Sequence, residues 1–424
     1  MKSIGGGNSM SLGRNPVFLA LFSAQVISLL GSGVTTVGLT LYVYEIAGAA
    51  SASIVLGQAL MLRILAFLIF SQPAGILADR VNRKAMLITA DLGRVALVGL
   101  FPFVTTTWQV YVLVFAVNAL TAFFTPTFES CLPAVAGKDQ YVQAISLSRV
   151  ASDVEGIAAP ALTGLLIALI GLRWVFWFDA ATYLVSAILV ALVRVPSVAG
   201  TATNQLSART ILSEIVFGTR LLFRVPAIRL ALLLSFAEAT AGAAAIVITV
   251  AYVREILHRG DTEFTLLMAA VGFGSTLTAI LMGRFSRRFE DGFRDDTDLH
   301  RRRHRWTAAA LFLGGTLLSA ALLPGIFLPP LLVFGFLWIL NGAGQALVAI
   351  PSGTLLAEHT EESERGRAYA AHFALTHACW LITYPAAGYA TTRFGAPLAL
   401  SIAGILCIAI TSLAFQLGRV GSDA

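Results

Sequence analysis

The chain has 424 residues, of which 57% are hydrophobic and only 12% are charged, and its mean hydropathy is +0.81. Charged residues make up about a quarter of a soluble domain, so this composition excludes a soluble globular protein and indicates one that lies in a lipid bilayer. The formal net charge of +6 does not indicate a nucleic-acid partner, because 22 of the 29 Lys and Arg residues are spread over the tails and alternate loops. That distribution is a membrane-topology signal.

Twelve apolar segments follow one another along the chain, each close to the roughly 20 residues that a helix needs to cross a bilayer. They cover residues 17–43, 52–78, 85–105, 109–133, 142–170, 174–194, 228–253, 263–284, 306–323, 328–356, 367–391 and 396–418. The sequence therefore predicts an all-α membrane protein with twelve transmembrane helices. Because Lys and Arg concentrate in short cytoplasmic loops, we expect both termini in the cytoplasm.

The loop between the second and third segments carries the most specific motif. Residues 75–84 read GILADRVNRK, which has the form G-x-L-A-D-R-x-x-R-K. Glycine permits a tight turn between two helices, and the three cations mark the cytoplasmic side. This loop resembles the signature of the major facilitator superfamily, which implies a secondary transporter in which Asp79 pairs with a neighbouring helix while Arg80 and Arg83 clamp the loop. The resemblance gives a gating motif of Gly75, Asp79, Arg80, Arg83 and Lys84.

The chain also repeats itself. The stretch from Asn118 to Gly164 is similar in its Asn, Pro and Gly positions to the stretch from Asn341 to Gly388, at an offset of 223 to 225 residues. This predicts two pseudo-symmetric six-helix halves, residues 1–195 and 230–424, joined by a cytoplasmic linker, residues 196–229, with an amphipathic helix on the membrane surface. In such duplicated transporters the substrate site lies near the midplane between the halves.

Ionisable side chains inside membrane helices are costly and indicate function or a buried ion pair. In the fifth segment, Arg149 and Asp153 are four residues apart and face the same way, while Glu155 points elsewhere. The repeat places His372 opposite Arg149 and His377 opposite Asp153. Either Arg149 and Asp153 form a structural ion pair, or the acids and imidazoles bind a borderline divalent cation. The predicted metal-binding residues are Asp153, Glu155, His372 and His377.

Other buried ionisable residues suggest proton coupling. Glu238 has no charged neighbour in sequence, and burial favours the neutral form of such a carboxyl, so it is the first candidate to carry a proton. Glu129 is the second, and Arg63 and Arg149 are the candidate counter-ions. Asp91 and Arg94, three residues apart, are interpreted as a structural pair, and Asp179 is interpreted as structural as well. The sequence does not decide which acid carries the proton.

Four short stretches look like those of the nickel-resistance exporters within the superfamily. They are residues 15–18 (NPVF), 21–26 (LFSAQV), 124–128 (FTPTF) and 146–149 (SLSR), followed by Asp153 and Glu155. The resemblance implies a proton-coupled exporter of Ni²⁺ or Co²⁺. The alternative is a multidrug or siderophore antiporter, since residues 155–164 keep Pro160 and Gly164 of the helix-5 motif G-x-x-x-G-P-x-x-G-G of drug:proton antiporters.

Together these features predict a monomeric, multi-pass exporter in a bacterial cytoplasmic membrane, surrounded by lipid and working by alternating access. We expect no bound cofactor: protons are the coupling ion, and any metal is the cargo. The three cysteines show no paired spacing that would indicate a disulfide or a CxxC metal site. No nucleophile–base pair or phosphate-binding motif indicates an enzyme.

Overall fold

The computed structural model describes residues 12–78, 81–137, 140–195, 217–291, 296–361 and 364–420. The described residues form twelve long helices and contain no strand. The long helices are α1 Pro16–Ala47, α2 Ala52–Ala78, α3 Arg83–Val98, α4 Thr107–Ala136, α5 Tyr141–Ile170, α6 Leu172–Leu192, α7 Pro226–Ile256, α8 Asp261–Asp291, α9 Asp296–Leu322, α10 Leu331–Glu358, α11 Arg365–Phe394 and α12 Ala396–Val420.

The all-α membrane fold is confirmed. Helices are the expected form because lipid offers no hydrogen-bond partners, so the backbone of a spanning segment must satisfy itself. Eleven of the twelve helices are long and apolar enough to cross a membrane. The remaining helix, α11, is 30 residues long, but Arg367, His372 and His377 make it less apolar than the others. The predicted count of twelve spans is thus supported by composition for eleven helices.

The packing of the helices repeats from one half of the chain to the other. In the first half α1 packs on α5 and α6, α2 packs on α4, and α3 packs on α4 and α6. In the second half α7 packs on α11 and α12, α8 packs on α10, and α9 packs on α10 and α12. Each contact of the second half therefore joins two helices whose numbers are six higher than those of a contact in the first half. The halves meet where α2 packs on α11 and α5 packs on α8, which is itself a symmetric pair of contacts.

Small residues hold the two halves together. We call the end of the bundle where α1 begins and α12 ends the termini face, and the other end the opposite face. Toward the opposite face, a Cβ on Gly388 of α11 would overlap the backbone of Ser53 on α2, and a Cβ on Gly164 of α5 would overlap Thr265 on α8. Glycine is therefore required for this close approach of helices. These contacts close the bundle toward the opposite face.

The linker is described only in part. Residues 217–224 form a short helix, and a Cβ on Gly218 would overlap the backbone of Arg367 on α11. The Arg367 guanidinium lies 4.1 Å from the centre of the Phe217 ring. The rest of the predicted amphipathic segment, residues 196–216, lies outside the described residues.

Candidate functional site

A central cavity of about 310 Å³ lies between the two halves. Its walls come from α1, α2 and α5 on one side and from α7, α8, α10 and α11 on the other. The π-helical stretch Ala244–Ile248 interrupts α7 at this depth and contributes Ala245 and Ile246 to the wall. Departures of this kind from α-helical geometry are frequent at functional sites. The lining is mostly small or apolar, so the few polar groups in it determine its chemistry.

Glu155 and Arg63 are the charged residues that line this cavity among the described residues. Glu155 reaches the cavity from α5 and lies against Gly33 of α1, where a Cβ would overlap its carboxylate. Arg63 extends from α2, and its Nη1 donates a hydrogen bond of 3.1 Å to Thr36 Oγ1. The two are close enough for the charge of Arg63 to act on Glu155, although the described side chains form no direct ion pair. The cavity thus holds one acid and one base, balanced in charge.

Gln345 and Trp380 complete the polar and aromatic lining. Gln345 of α10 donates a hydrogen bond of 2.6 Å from its Nε2 to Asn341 Oδ1. Asn341 is buried, and its Nδ2 donates to the carbonyl of Ala241 at 3.4 Å. Trp380 of α11 packs on Gly242 of α7, where a Cβ would overlap its ring. The glycine therefore lets a large aromatic surface face the cavity.

The predicted metal ligands do not gather in the described part of the chain. His377 Nδ1 lies 2.9 Å from the carbonyl of Phe373, and its ring stacks on Phe373 with centroids 3.7 Å apart. His372 has a buried Nε2 without a hydrogen-bond partner. Neither imidazole lines the central cavity, and the described side chains contain no group of three or more His, Cys, Asp or Glu that could hold a metal ion. The side chains of Arg149 and Asp153 lie outside the described residues.

The two proton-coupling candidates on α4 and α7 lie in different surroundings. Glu238 is half-buried on α7, one helical turn before Gly242, and shows no hydrogen bond to another described side chain. Glu129 lies at the termini-face end of α4 and lines a second, more polar cavity of about 180 Å³ together with Gln25 and Ser148. Neither acid lines the central cavity. Which of them carries a proton stays a prediction.

Part of the gating motif is visible. Arg83 is buried and donates from Nε to the carbonyl of Ala78 at 3.1 Å and from Nη1 to the carbonyl of Ser130 at 2.9 Å. It thereby ties the α2–α3 loop to α4. Lys84 Nζ donates to the carbonyl of Ala191 at 2.6 Å, at the end of α6. A Cβ on Gly75 would have no heavy atom of the described chain within 4 Å, and Asp79 and Arg80 lie outside the described residues.

Sequence reasoning found the Asp91–Arg94 pair but missed its setting. The two side chains form an ion pair, and Arg94 lies between two aromatic rings, 4.4 Å from the centre of Phe124 and 4.1 Å from that of Tyr183. A cation between desolvated aromatic faces gains further stabilisation. The aromatic residues come from α4 and α6, too far apart in sequence for any periodic pattern to connect them with Arg94.

Comparison with known proteins decides the family. The sequence profile of the Major Facilitator Superfamily matches residues 21–294 and 232–420. The chain belongs to the major facilitator superfamily. It is a multi-pass membrane protein of a family of transporters, which are not enzymes.

Several relatives of this superfamily member are efflux proteins. It is 25% identical over 408 residues to the uncharacterized MFS-type transporter YfiS of Bacillus subtilis, covering 92% of this chain and 91% of that protein. It is 28% identical over 184 residues to macrolide efflux protein A of Streptococcus pyogenes, covering 42% of this chain and 45% of that protein. It is 29% identical over 227 residues to the multidrug efflux pump Tap of Mycolicibacterium fortuitum, covering 51% of this chain and 54% of that protein. The two efflux matches therefore span about half of those proteins.

Solved structures agree on the fold. A bacterial homolog of the human lysosomal transporter Spinster, in an inward-facing and occupied conformation, superposes with a TM-score of 0.72 at 14% identity, covering 97% of this chain and 98% of that one. A POT family transporter in complex with 5-aminolevulinic acid superposes with a TM-score of 0.72 at 11% identity, covering 94% of this chain and 95% of that one. Identities this low show the fold alone.

Proposed function

We propose that this chain is a proton-coupled exporter of amphipathic organic compounds in a bacterial cytoplasmic membrane. The observation that carries the proposal is the central cavity, which combines an apolar and aromatic lining with one acid and one base. The chain would work as a monomer by alternating access, with the termini face toward the cytoplasm. In this conformation the contacts between halves close the opposite face, so a substrate would reach the cavity from the termini face.

The dimensions and lining of the cavity favour an organic substrate. Its volume of about 310 Å³ falls within the range of roughly 300–1,000 Å³ that small-molecule sites occupy, and such sites are mostly apolar with a few placed polar groups. Trp380, Phe264 and Met268 supply apolar contact surface. A divalent metal ion would instead need several ligand atoms within about 2.0–2.6 Å of one point, and Glu155 is the one acid among the described residues that line this cavity.

The charges of the cavity suggest how transport and proton movement are linked. An ionised Glu155 would bind the cationic end of an amphipathic compound, and protonation of Glu155 would release it while leaving Arg63 to repel the cation. Glu155 would then exchange a proton for a substrate in each cycle. Glu238, Glu129 and Arg149 remain candidate participants in the proton path. The relatives described as macrolide and multidrug efflux proteins support an organic substrate for this chain as well.

A divalent transition-metal cation is the second candidate substrate. The buried, unpartnered Nε2 of His372 is the observation that favours it, since an imidazole nitrogen is a common ligand of Ni²⁺, Co²⁺ and Zn²⁺. His372 and His377 lie five residues apart on the same helix, α11. A metal site would need Asp153 or Glu155 as a further ligand.

The test is transport into liposomes with an imposed pH gradient, comparing a lipophilic cationic dye and a macrolide with Ni²⁺, Co²⁺ and Zn²⁺. We expect gradient-driven movement of the organic compounds and its loss in Glu155→Gln, because the neutral amide can neither attract a cation nor exchange a proton. Glu361→Gln, which alters an exposed carboxylate of the α10–α11 loop, is the matched control and should transport normally.

Three outcomes would contradict the proposal in different ways. Metal flux that is lost in His372→Ala, without organic flux, would replace the organic substrate by a metal cation. Organic flux that ignores the pH gradient would remove the proton coupling. Full activity in Glu155→Gln would move the site away from the central cavity.

A further inference from the structure

Three ionisable side chains of the described part of the first half are almost completely buried, away from the central cavity. Asp91 and Arg94 on α3 and Asp179 on α6 have exposed fractions of 0%, 1% and 0%. Arg94 pairs with Asp91 Oδ1, and Asp91 Oδ2 accepts a hydrogen bond of 2.7 Å from Ser186. Asp91 is thus fully partnered, and the charge of Arg94 is neutralised by it.

Asp179 differs from Asp91 in its partners. Its Oδ1 accepts a hydrogen bond of 3.2 Å from Thr182 Oγ1, but its Oδ2 is buried without any hydrogen-bond partner. The hydroxyl of Thr35 on α1 lies beside the same carboxyl and is also buried without a partner of acceptable geometry. Gly31 of α1 allows this approach, because a Cβ there would overlap the Asp179 carboxyl.

The carboxyl of Asp179 borders a small cavity of about 70 Å³ whose wall is mostly apolar with a few polar groups. Ser32, Thr36, Asn118 and Thr121 line the cavity with it. A water molecule needs a free volume of about 10–15 Å³ and two to four polar partners, which this cavity and its polar residues supply. Asp179 is therefore a buried acid with one open oxygen beside a cavity that has room for water.

Arg63 lines both this small cavity and the central one. It is held by one hydrogen bond from its Nη1 to Thr36, a residue that also lines both cavities. Arg63 therefore borders the cavity of each acid, and one guanidinium cannot neutralise Glu155 and Asp179 at once.

The charge balance of the buried cluster determines the state of Asp179. With Asp91 and Arg94 neutralising each other, an ionised Asp179 would be an uncompensated buried charge, which is strongly unfavourable. A proton on Oδ2 removes that charge and supplies a donor for Thr35 Oγ1, so both unpartnered oxygens are satisfied together. The groups around the Asp179 carboxyl are Thr182 on its own helix, Thr35 on α1 and Arg94 on α3. Tyr183 and Arg63 line the same small cavity.

We infer that Asp179 is a second coupling-proton site, separate from the substrate cavity and linked to it through Arg63. The acid holds its proton while Arg63 faces Glu155. When Arg63 turns to Asp179, the O–H bond of the acid breaks, the proton passes to water in the small cavity, and the carboxylate pairs with the guanidinium. This inference rests on the proposed proton-coupled transport and names where one of its protons is held.

The first test is Asp179→Asn, which imitates the neutral acid. In detergent, we expect this variant to have the unfolding temperature and the dye binding of the wild type. In liposomes with the same dye concentration inside and outside, it should exchange dye normally. None of these three measurements needs proton release. Uphill transport driven by a pH gradient should be lost, and Asp179→Glu should restore it. Glu155→Gln differs, since it should also weaken dye binding.

The outcomes separate this inference from the proposed function. If the wild-type protein shows no gradient-driven transport, the proposed function fails. If the wild type transports and Asp179→Asn is equally active, this inference alone is overturned. If Asp179→Asn loses dye binding and dye exchange and also unfolds at a lower temperature, the role of Asp179 is structural and the inference is overturned as well.

An infrared measurement keeps the inference testable if Asp179→Asn does not fold. The wild-type protein should show a carboxylic-acid C=O band that shifts in Thr35→Val, because that variant removes the acceptor of the acid proton. Thr89→Val, on the exposed side of α3, should leave the band unchanged. If the wild-type protein lacks the band, or if the band does not shift in Thr35→Val, Asp179 does not hold a proton against Thr35, which contradicts the inference.

Discussion

The two halves share one helix-packing plan but differ in what they bury. In the first half, α3 and α6 place Asp91, Arg94 and Asp179 inside the bundle. Their counterparts in the second half are α9 and α12, and neither residues 306–322 nor residues 396–418 contain an Asp, Glu, Lys or Arg.

The interior of the second half is aromatic and aliphatic instead. The ring of Phe334 stacks on Tyr252 at 4.2 Å and lies 4.0 Å from Trp338, and all three side chains are fully buried. Helix α7 is buried along most of its length. The packing plan thus requires close-fitting helices and not a particular interior chemistry, so α3 and α6 can keep buried charges while residues 306–322 of α9 and 396–418 of α12 contain none.

The largest expected effect comes from breaking the charged interior. Arg94→Leu leaves Asp91 buried without its cation and should lower the free energy of unfolding by about 3–5 kcal/mol, the usual cost of removing one partner of a buried pair. Unfolding of the purified variant and of the wild-type protein in detergent measures this difference in the free energy of unfolding. Arg393→Leu, at an exposed arginine of the second half, should change stability by about 0.5 kcal/mol or less.

A double replacement sharpens that result. Asp91→Asn combined with Arg94→Leu removes both charges, so it should recover part of the loss seen in Arg94→Leu. Equal losses in the single and double variants would show that the cost comes from packing against Phe124 and Tyr183, and not from the unpaired charge.

A smaller effect should follow from breaking the close packing of the second half. A Cβ on Gly342 of α10 would overlap the carbonyl of Val271 on α8, so Gly342→Ala should cost about 1–3 kcal/mol through overpacking. Gly353→Ala lies on the same helix with no described heavy atom within 4 Å of its Cβ, and should stabilise the protein by about 0.5–1 kcal/mol. Thermal unfolding of the two variants side by side checks the prediction; similar behaviour would refute it.

The smallest expected effect concerns the contact between the halves at the opposite face. Tyr44 on α1 donates a hydrogen bond of 2.9 Å to Glu255 Oε1 on α7. Tyr44→Phe should shift the protein toward conformations that are open at the opposite face by about 1 kcal/mol, the net value of one such bond. Distances between spin labels on the opposite-face ends of α2 and α11 measure the shift.

The control for that experiment is Tyr389→Phe, an exposed tyrosine near the same end of α11 with no side-chain hydrogen bond to another described residue. It should leave the distances unchanged. If both variants shift the label distances equally, the Tyr44–Glu255 bond does not hold the opposite face closed.

Much of the fold could be predicted from the sequence, while the site could be predicted only in part. Segment 142–170 corresponds to α5 at Tyr141–Ile170, and segment 228–253 to α7 at Pro226–Ile256. Of the four predicted metal ligands, Glu155 lines the central cavity, whereas His372 and His377 do not. Both histidines lie on α11, as the apolar segment 367–391 predicted, but sequence spacing does not fix which side of a helix faces a cavity.

The sequence by itself determined the membrane fold, because long apolar segments in lipid must satisfy their backbone hydrogen bonds within helices. It also determined the superfamily through the loop motif at residues 75–84. Only the tertiary structure decided the roles of the buried charges. The spacing of Asp91 and Arg94 predicted their ion pair, but the second partner of Asp91, Ser186, and the open oxygen of Asp179 follow only from how the helices pack. Arg63 and Thr36 border both cavities, and that position depends on how distant helices pack.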